Sequence, residues 1–444
     1  LIDFGAHRGI GMGDVQKIEL QRAILGSFLQ HNKQNKIPRN TQRRVLNIDF
    51  DVDSVQVEYR PLVRPYSHTE AVALLVSNNG QLIESIPIKG WLSPGAAERH
   101  SRLAGTEIQE TPARFLCLLF APSAALFVHL YHRGIDGKWD ARRGVAVIIP
   151  HITDLTRYSE CFTRYLDTPV DRLSADGLSD AALIALVTLR AGDSLDDLGL
   201  SGCSCTMMGK VGWTPQQQTR TSVISFSLND NNILEKFELA IRMLPNKVKI
   251  AKEKPTKKNP EPPTKYFVAT SLCRGLIADN IANGQEWFRG FASLMKSKKQ
   301  SRLVFFEKGG LTEMVNKVEW PNEADRKLVE AIHIAINHRY GALAAQASKR
   351  GERIPFDREY ERMRTGLMRV KNAQTMRWEL ADLFARGGLN RVLQDEWANI
   401  LSLFTGMEWQ RTRDLALLAL ASYKGKGTEE IQQSIEQELE KEEE

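Results

Sequence analysis

Short runs in which apolar and polar residues alternate dominate the first half of the chain and predict β-strands. Residues 45–59 alternate in two pieces, with a slip at Asp53-Ser54 that indicates a turn or bulge. Further strands are expected at 72–76, 82–88, 115–120, 125–131, 145–149 and 222–228. Helical spacing is found at 16–31, 152–166, 179–189 and 233–244. This half is therefore expected to be mixed α and β structure.

Beyond Tyr266 the apolar positions change to helical spacing in long Leu/Ala/Arg/Glu-rich stretches. Helices are expected at 268–282, 285–299, 322–349, 357–385, 389–404 and 408–424. Five tryptophans fall here and supply bulk for a packed bundle. The expected fold class is α+β, a mixed α/β amino-terminal region followed by an all-α helical bundle.

Composition divides the chain into four segments: a mixed α/β body over 1–245, a Lys/Pro-rich linker or loop over 246–265, a helical bundle over 266–427, and an acidic tail over 428–444. The second segment has four prolines and no hydrophobic period, which is typical of a linker. The tail is expected to be too acidic to pack, and so a frayed helix or disordered.

The overall composition, 42% hydrophobic and 26% charged, is that of a soluble folded chain. The longest apolar run, 115–131, contains Pro122 and His129 and predicts two buried strands rather than a membrane span. No signal-type segment is recognised at the start. Five cysteines do not make a disulfide framework, so a cytoplasmic location is expected.

Charge is distributed unevenly along the chain. Residues 1–246 balance to zero, 247–265 carry +5, 266–427 carry +8, and the tail carries −7. A basic second half suggests a polyanion partner, although a merely solvated basic face is the alternative.

Catalytic motifs are scarce in this sequence. Gly9, Gly11 and Gly13 lack the spacing of a dinucleotide-binding loop, and no phosphate-binding P-loop or HExxH helix occurs. His129 is expected at a strand end, facing solvent or a groove, and Cys203 with Cys205 are expected in the core. We therefore expect no catalytic residue, no metal and no cofactor.

Three alternating aspartates, Asp49, Asp51 and Asp53, leave one enzymatic alternative open. They share one face of a predicted strand and could bind Mg²⁺ in a nuclease, or they could simply be the wet face of an edge strand. The other alternative is a stand-alone basic nucleic-acid-binding protein.

Nucleic-acid features occur in three places. Polar, basic and aromatic side chains suited to reading or wedging a duplex lie in one block between two predicted strands: Lys210, Trp213, Gln216, Gln217, Gln218 and Arg220. A cluster suited to phosphates lies in the helical half: Lys296, Lys298, Lys299 and Arg302. Further cations recur along one predicted helix beyond it: Arg362, Arg364, Arg369, Lys371 and Arg377. The basic loop adds six lysines: Lys247, Lys249, Lys252, Lys254, Lys257 and Lys258. The alternative for the block at 210–220 is an ordinary polar hairpin. The alternative for the basic residues of the helical half is a solvated helix face salt-bridged to Glu359, Glu361 and Glu379.

Five ordered blocks resemble a known family: TPARFLCLLFAPSAALFVHLYHRG, VAVIIPHITDLTRY, VGWTPQQQTRTSV, RGLIADNIANGQEWFRGF and WQRTRDLALLALASYKG. They are similar to the large subunit of type I CRISPR surveillance (Cascade) complexes, in the MYXAN or Csx-thirteen branch of the Cas eight subunits, grouped with types I-A and I-B. The resemblance runs from about residue 57 to 425 and leaves out the linker and the acidic tail.

The resemblance implies a non-catalytic subunit that inspects the PAM duplex, helps to open it, and holds the displaced strand on its helical bundle. The implied partners are guide RNA (crRNA), double-stranded target DNA, and the backbone, foot and small subunits of Cascade. A helicase-nuclease or a Tn7-like transposition adaptor is implied downstream. A short product translated from Met295 would supply a basic, helical small subunit.

Overall fold

The computed structural model describes residues 14–28, 44–49, 54–59, 74–88, 109–130, 144–166, 168–191, 195–208, 223–228, 231–252, 264–351, 354–405 and 408–443. The chain divides into two compact units. The first unit comprises residues 1–234 and 246–270, and the second, the helical unit, comprises residues 235–245 and 271–444.

Strands and helices alternate in the described part of the first unit. Its strands are β1 (Arg44–Asp49), β2 (Ser54–Tyr59), β3 (Ile86–Pro87), β4 (Gln109–Glu110), β5 (Leu126–Leu130), β6 (Gly144–Ile152), β7 (Ser174–Ala175), β8 (Leu200–Met208), β9 (Val223–Ser227), β10 (Lys247–Lys252) and β11 (Thr264–Ala269). Its helices are α1 (Asp14–Gly26), α2 (Pro112–Ala124), α3 (Leu155–Leu166) and α4 (Leu178–Arg190).

A five-stranded sheet in the order β7-β5-β6-β8-β9 forms the centre of this unit. All neighbours are antiparallel except β5 and β7, which are parallel. Phe127 and Val147 face each other across β5 and β6 and join a core with Ile24 of α1 and Phe115 of α2. The neighbouring residues Leu126 and Val128 on β5 and Ala146 and Ile148 on β6 are buried as well. Helix α4 packs against β5, β6 and β8. A sheet buried in this way requires the nearly continuous apolar runs that the sequence has.

The predicted strand at 115–120 is wrong, because this segment forms α2. Pro112 occupies the first turn, where its fixed backbone angle favours a helix. Phe115 is buried, Leu118 and Ala121 are partly buried, and Leu116 is exposed. This three-residue spacing of contacts with the core is helical, and an all-apolar run concealed it.

Two hairpins complete the described strands. β1 pairs with β2 from Arg44↔Tyr59 to Asp49↔Ser54, so the chain reverses between Asp49 and Ser54, next to the turn or bulge predicted at Asp53-Ser54. β10 pairs with β11 from Lys247↔Ala269 to Lys252↔Thr264. The segment expected to be a linker therefore begins and ends in a β-ribbon, because Val248 and Ile250 supply a short alternating pattern that the lysines obscured.

The helical unit contains ten α-helices in its described residues, most of α5 included. These are α5 (Asn231–Met243), α6 (Leu272–Ala282), α7 (Lys298–Phe306), α8 (Lys308–Lys317), α9 (Glu323–Arg350), α10 (Phe356–Arg369), α11 (Ala373–Gly387), α12 (Arg391–Thr405), α13 (Trp409–Ser422) and α14 (Thr428–Glu443). The long helix α9 packs against α11, α12 and α13, and its buried face includes Leu328, Ile332 and Ile336. The predicted α+β fold class is confirmed.

The predicted helix at 285–299 is largely wrong. Residues 285–297 form turns and one 3-10 turn, Phe291–Ser293, before α7 begins. The carboxylate of Asp414 accepts hydrogen bonds from the backbone N–H groups of Gly290 and Ala292 at 2.8 and 3.0 Å. These bonds satisfy backbone donors that a helix would otherwise satisfy, so a residue far away in sequence selects the turn.

The predicted helix at 357–385 is divided into α10 and α11 by a capping box. Asn372 accepts a hydrogen bond from the Thr375 N–H at 2.8 Å, and the Thr375 hydroxyl accepts one from the Asn372 N–H at 3.2 Å. This reciprocal pair starts a new helix at Ala373. The Asn-x-x-Thr pattern is visible in the sequence and indicates a helix start, but the prediction of one continuous helix did not take it into account.

The acidic tail is an ordered helix, which contradicts the expectation that it would not pack. Ile431 and Ile435 of α14 are buried, four residues apart on one face. Gly427 precedes the helix at φ +81°, and a Cβ at that position would lie 2.9 Å from the Phe356 ring. Glu429 and Glu430 lie in the first helical turn, where negative charge is favourable. Two apolar anchors and a glycine contact are sufficient to dock a helix that is otherwise charged.

No helix in the described ranges is both long and apolar enough to cross a membrane. Of the five cysteines, Cys161, Cys203, Cys205 and Cys273 are buried and Cys117 is exposed, and all five are free thiols.

Candidate nucleic-acid interface

The basic cluster predicted around residue 300 lies at the start of α7; we call these four residues the α7 cations: Lys296, Lys298, Lys299 and Arg302. The hydroxyl of Ser297 accepts a hydrogen bond from the Gln300 N–H at 3.1 Å, which sets the start of the helix. The three lysines are exposed, whereas Arg302 is only 8% exposed. Lys298 and Arg302 are four residues apart and therefore share a face of α7.

That face is occupied by the acidic tail helix. Lys298 Nζ lies 3.1 Å from Glu438 Oε2, and the Arg302 guanidinium pairs with the same carboxylate oxygen. A cleft of about 140 Å³ remains where α7, α10 and α14 meet, and its lining includes Arg358, Tyr360 and Ser434. The two most charged stretches of the helical half, one basic and one acidic, thus meet in this unit.

Two of the arginines that recur along α10 are engaged by acidic partners. Arg362 contacts Glu359 at 2.8 Å and Asp382 at 3.2 Å. Arg364 contacts Glu361 at 2.8 Å and donates to the Met295 carbonyl at 2.7 Å. These two arginines have the salt-bridged arrangement that was left open as the alternative.

A second exposed basic surface lies where α10 ends and α11 begins; we call it the α10–α11 corner and define it by four exposed residues: Arg369, Lys371, Arg377 and Trp378. Trp378 is 75% exposed, more than any other large hydrophobic residue of the described chain. The sequence analysis named the three cations, but it counted Trp378 among the tryptophans that pack the bundle, and that expectation is wrong for this exposed residue. The exposure of Trp378 could have been predicted from the sequence, because this residue does not fit the helical spacing of the apolar positions in α11. The buried residues of α11 are Met376, Leu380, Leu383, Phe384 and Gly387.

The basic loop residues are divided by the β10–β11 ribbon. Lys247 and Lys249 are exposed and share one face of β10, while Lys252 is its last residue. Across the ribbon, Val268 is buried and Tyr266 donates a hydrogen bond to Glu19 at 2.5 Å. Lys254, Lys257 and Lys258 lie outside the described residues.

The block expected to read or wedge a duplex lies between residues 209 and 222, outside the described residues: Lys210, Trp213, Gln216, Gln217, Gln218 and Arg220. It joins β8 to β9, which are neighbours in the central sheet with Thr206 opposite Val223. The block therefore connects β8 to β9, and β9 is an edge strand of that sheet.

Of the three aspartates considered for Mg²⁺, only Asp49 lies in a described segment. Its carboxylate accepts a hydrogen bond from the Ser54 hydroxyl at 2.6 Å, at the end of the β1–β2 hairpin. Asp51 and Asp53 are outside the described residues. Within the part of the chain that the structure describes, no group of three His, Cys, Asp or Glu side chains could hold a metal ion.

The expectation that His129 faces solvent or a groove is wrong, because it is buried. Its Nε2 lies 3.0 Å from Glu19 Oε2, and Arg22 lies 2.6 Å from the same carboxylate. Burial alone would raise the pKa of Glu19, but the hydrogen bond and charge of His129, with Arg22 and Tyr266, lower it to about 2. A structural ion pair explains these residues without catalysis.

Other buried titratable side chains are similarly structural. Burial raises the pKa of Cys203 to about 12 and raises that of Cys205 further, so neither is a thiolate nucleophile near neutral pH. Burial lowers the pKa of His333 to about 4, and its ring nitrogen lies 2.9 Å from the Ala419 carbonyl oxygen.

Comparison with known proteins gives two family matches and one similar relative. A model described as the DevT N-terminal domain matches residues 1–119, and one described as the DevT C-terminal domain matches residues 316–444. The chain is 28% identical over 426 residues to a CRISPR-associated protein Cas8a1/Csx13 of Myxococcus xanthus (strain DK1622), covering 92% of this chain and 71% of that protein. The matches extend through the amino-terminal fifty residues and the acidic tail, which the resemblance had left out. The chain therefore belongs to the Cas8 family of CRISPR-associated large subunits.

Proposed function

We propose that this chain is the non-catalytic, DNA-reading large subunit of a type I CRISPR surveillance complex. It recognises the PAM duplex, helps to open target DNA, and holds the displaced strand on its helical unit. The holding of the displaced strand is supported by exposed basic residues at two places on that unit: the three lysines of the α7 cations and the α10–α11 corner.

The physical argument rests on how a loose strand can be held. Exchanging a DNA duplex for an RNA–DNA hybrid is nearly balanced in energy, so contacts that trap the displaced strand favour opening. Lysines and arginines release counterions from phosphates regardless of base sequence. An exposed tryptophan such as Trp378 adds a surface on which a base can stack.

PAM recognition is proposed for the block between β8 and β9. Its glutamines can bond adenine edges or wedge between strands, and Lys210 and Arg220 can position the backbone. The partners in this proposal are guide RNA, double-stranded target DNA, and the backbone, foot and small subunits of Cascade. A helicase-nuclease or a Tn7-like transposition adaptor would then be recruited to the assembled complex.

The deciding experiment is to assemble the complex from this chain, its genomic neighbours and guide RNA, and to measure target-DNA binding and strand opening with and without the chain. Specific binding that disappears only when this chain is omitted would support the proposal. Failure of the chain to co-purify with guide RNA would overturn it.

Residue-level tests use the same complex. Replacing Gln217, Gln218 and Arg220 with alanine should weaken binding of duplexes with a correct PAM, whereas Gln56→Ala on β2 is a matched control. Unchanged target binding by the triple variant would remove the block from the proposal.

The displaced-strand contacts are tested by salt dependence. Lys296→Gln with Lys299→Gln should reduce the slope of log Kd against log salt by about 1 to 2. Lys349→Gln, an exposed lysine on α9, should leave the slope unchanged. Trp378→Ala should weaken strand holding without changing that slope, because stacking is uncharged, and Leu389→Ala controls for the loss of an exposed apolar side chain.

The nuclease alternative makes an opposite prediction. The isolated chain would cut DNA with Mg²⁺, and Asp51→Ala would abolish cutting. We expect no cutting by the unmodified chain.

A further inference from the structure

Lys298 and Arg302 indicate a ligand site because an acidic side chain of the same chain already binds both of them. Both cations converge on one oxygen of Glu438, which has come from the last helix of the chain. A carboxylate and a phosphodiester both present anionic oxygens to Lys and Arg through charge-assisted hydrogen bonds. Glu438 is thus placed where a phosphate would make the same contacts.

The surroundings of this carboxylate have room and an additional polar group. The adjoining cleft of about 140 Å³ is lined by Arg358 and Tyr360 as well as by the paired cations. Asp357 and Glu361 also line it, and Glu361 is paired with Arg364. Tyr360 is 4% exposed, and its hydroxyl has no hydrogen-bond partner among the described residues. A buried hydroxyl without a partner is costly, and a ligand oxygen entering the cleft would satisfy it.

The attachment of α14 is weak enough to be exchanged. Two isoleucines, Ile431 and Ile435, anchor it. Its Lys298–Glu438 pair joins side chains that are 54% and 43% exposed, whereas the Arg302 side chain of the second pair is 9% exposed. The partly exposed Lys298–Glu438 pair contributes little to stability and is screened by salt. Glu429, Glu430 and Glu436 remain exposed on the same helix, so the docked tail repels any other polyanion.

We infer that the cleft between α7 and α10 is a phosphate-binding site for single-stranded nucleic acid, and that α14 occupies it in the free chain and leaves when the strand binds. This deepens the proposed function and rests on it for the identity of the strand. In the free chain the acidic helix excludes chance nucleic acid. A strand delivered at high local concentration, as in an opened target, displaces it.

The test uses the full chain, fluorescein-labelled oligothymidylate and fluorescence anisotropy at low salt. Glu438→Gln should tighten binding by about two- to fivefold, because it removes one partly exposed carboxylate that competes for Lys298 and Arg302. Glu436→Gln is the matched control: it removes the same charge from the same helix, where Glu436 bonds Gln432 and no cation of α7. Ile431→Asn should also tighten binding, by undocking α14 while keeping its charges. Arg302→Gln should weaken the binding of the Glu438→Gln chain.

Hydrogen exchange supplies the second measurement. The amides of residues 428–443 should exchange faster when oligothymidylate is added to the unmodified chain. Equal affinity of the Glu438→Gln and Glu436→Gln chains, no binding by either, or unchanged exchange in α14 would each overturn the inference. The proposed function is judged separately in the guide-RNA complex: if Glu438→Gln tightens binding but Lys298→Gln complexes open target DNA normally, the site stands and its assignment to the displaced strand fails.

Discussion

The guanidinium of Arg411 lies between Asp325 and Glu286 and joins three segments of the helical unit. It donates to Asp325 Oδ1 at 2.8 Å and to Glu286 Oε2 at 2.8 Å. Asp325 is fully buried, and the Arg411 guanidinium also stacks 5.3 Å from the Phe288 ring. Burial alone would lower the pKa of Arg411, but the two carboxylates raise it above its ordinary value.

Loss of this arginine should destabilise the helical unit strongly. Arg411→Met leaves the Asp325 carboxylate buried and uncompensated, at a cost of about 3 to 5 kcal/mol in the free energy of unfolding. Urea denaturation followed by circular dichroism measures it. Arg326→Met, which removes an exposed pair with Glu323, should have a much smaller effect, because water and salt screen exposed pairs. Adding Asp325→Asn to Arg411→Met should restore part of the loss; equal losses for Arg411 and Arg326 would contradict this account.

Close helix packing predicts opposite effects for two glycines. A Cβ at Gly387 would lie 2.6 Å from the Ala335 Cα of α9, so Gly387→Ala should destabilise by about 1 to 3 kcal/mol. A Cβ at Gly341 of α9 would meet nothing within 4 Å, so Gly341→Ala should stabilise by about 0.5 to 1 kcal/mol through helix propensity. Thermal unfolding distinguishes the two, and a shift of the same sign for both would be inconsistent with this packing.

Lys308 should make stability rise at alkaline pH. Burial lowers its pKa to about 7, below its ordinary 10.5. Below pH 7 both states are protonated and the full penalty applies; between pH 7 and 10.5 only the unfolded chain binds the proton, so stability rises. Lys308→Met should therefore stabilise by about 2 kcal/mol at pH 6, with the gain shrinking towards pH 10. A pH-independent gain in urea denaturation would refute the assignment.

Glu19 should make the first unit sensitive to strong acid. Its pKa is depressed from 4.5 to about 2, so its contribution is complete above pH 4.5 and is lost as the pH falls through 2. Glu19→Gln should cost about 2 to 3 kcal/mol at pH 6, and the difference from the unmodified chain should shrink between pH 4.5 and 2. Exposed Glu84→Gln should have little effect at any pH.

A product beginning at Met295 should be less stable than one beginning at Asn231. It would lack Glu286, the carboxylate partner of Arg411. It would also lack the backbone N–H groups of Gly290 and Ala292, which donate hydrogen bonds to Asp414. Mass spectrometry of the purified complex tests whether such a fragment is present, and urea denaturation of the two fragments compares them. A fragment from Met295 as stable as the longer one would show that these contacts are dispensable.

Local pattern predicted much of the fold. Strands β5, β6 and β9 and helices α3, α4, α9, α12 and α13 lie close to their expected positions, because their periods and breakers are properties of neighbouring residues. Where an apolar run had no polar interruption, as at Phe115, period alone did not separate helix from strand.

The candidate interface divides in the same way. Its cations are visible in the sequence, but whether each is available depends on partners brought together by packing. Arg362 and Arg364 are engaged on α10, Arg369 is exposed at its end, and Arg302 meets Glu438. No sequence period relates residues so far apart as the last two.

The sequence by itself determined the α+β class, the helical second half and its separation of basic from acidic charge, since these follow from composition and short-range spacing. The tertiary structure alone decided that Asp414 holds residues 290–292 out of a helix, that His129 is buried against Glu19, and that the acidic tail docks beside α7. Each of these depends on a hydrogen bond or ion pair between segments distant in the chain, and such contacts form only when packing brings their partners within about 3 Å.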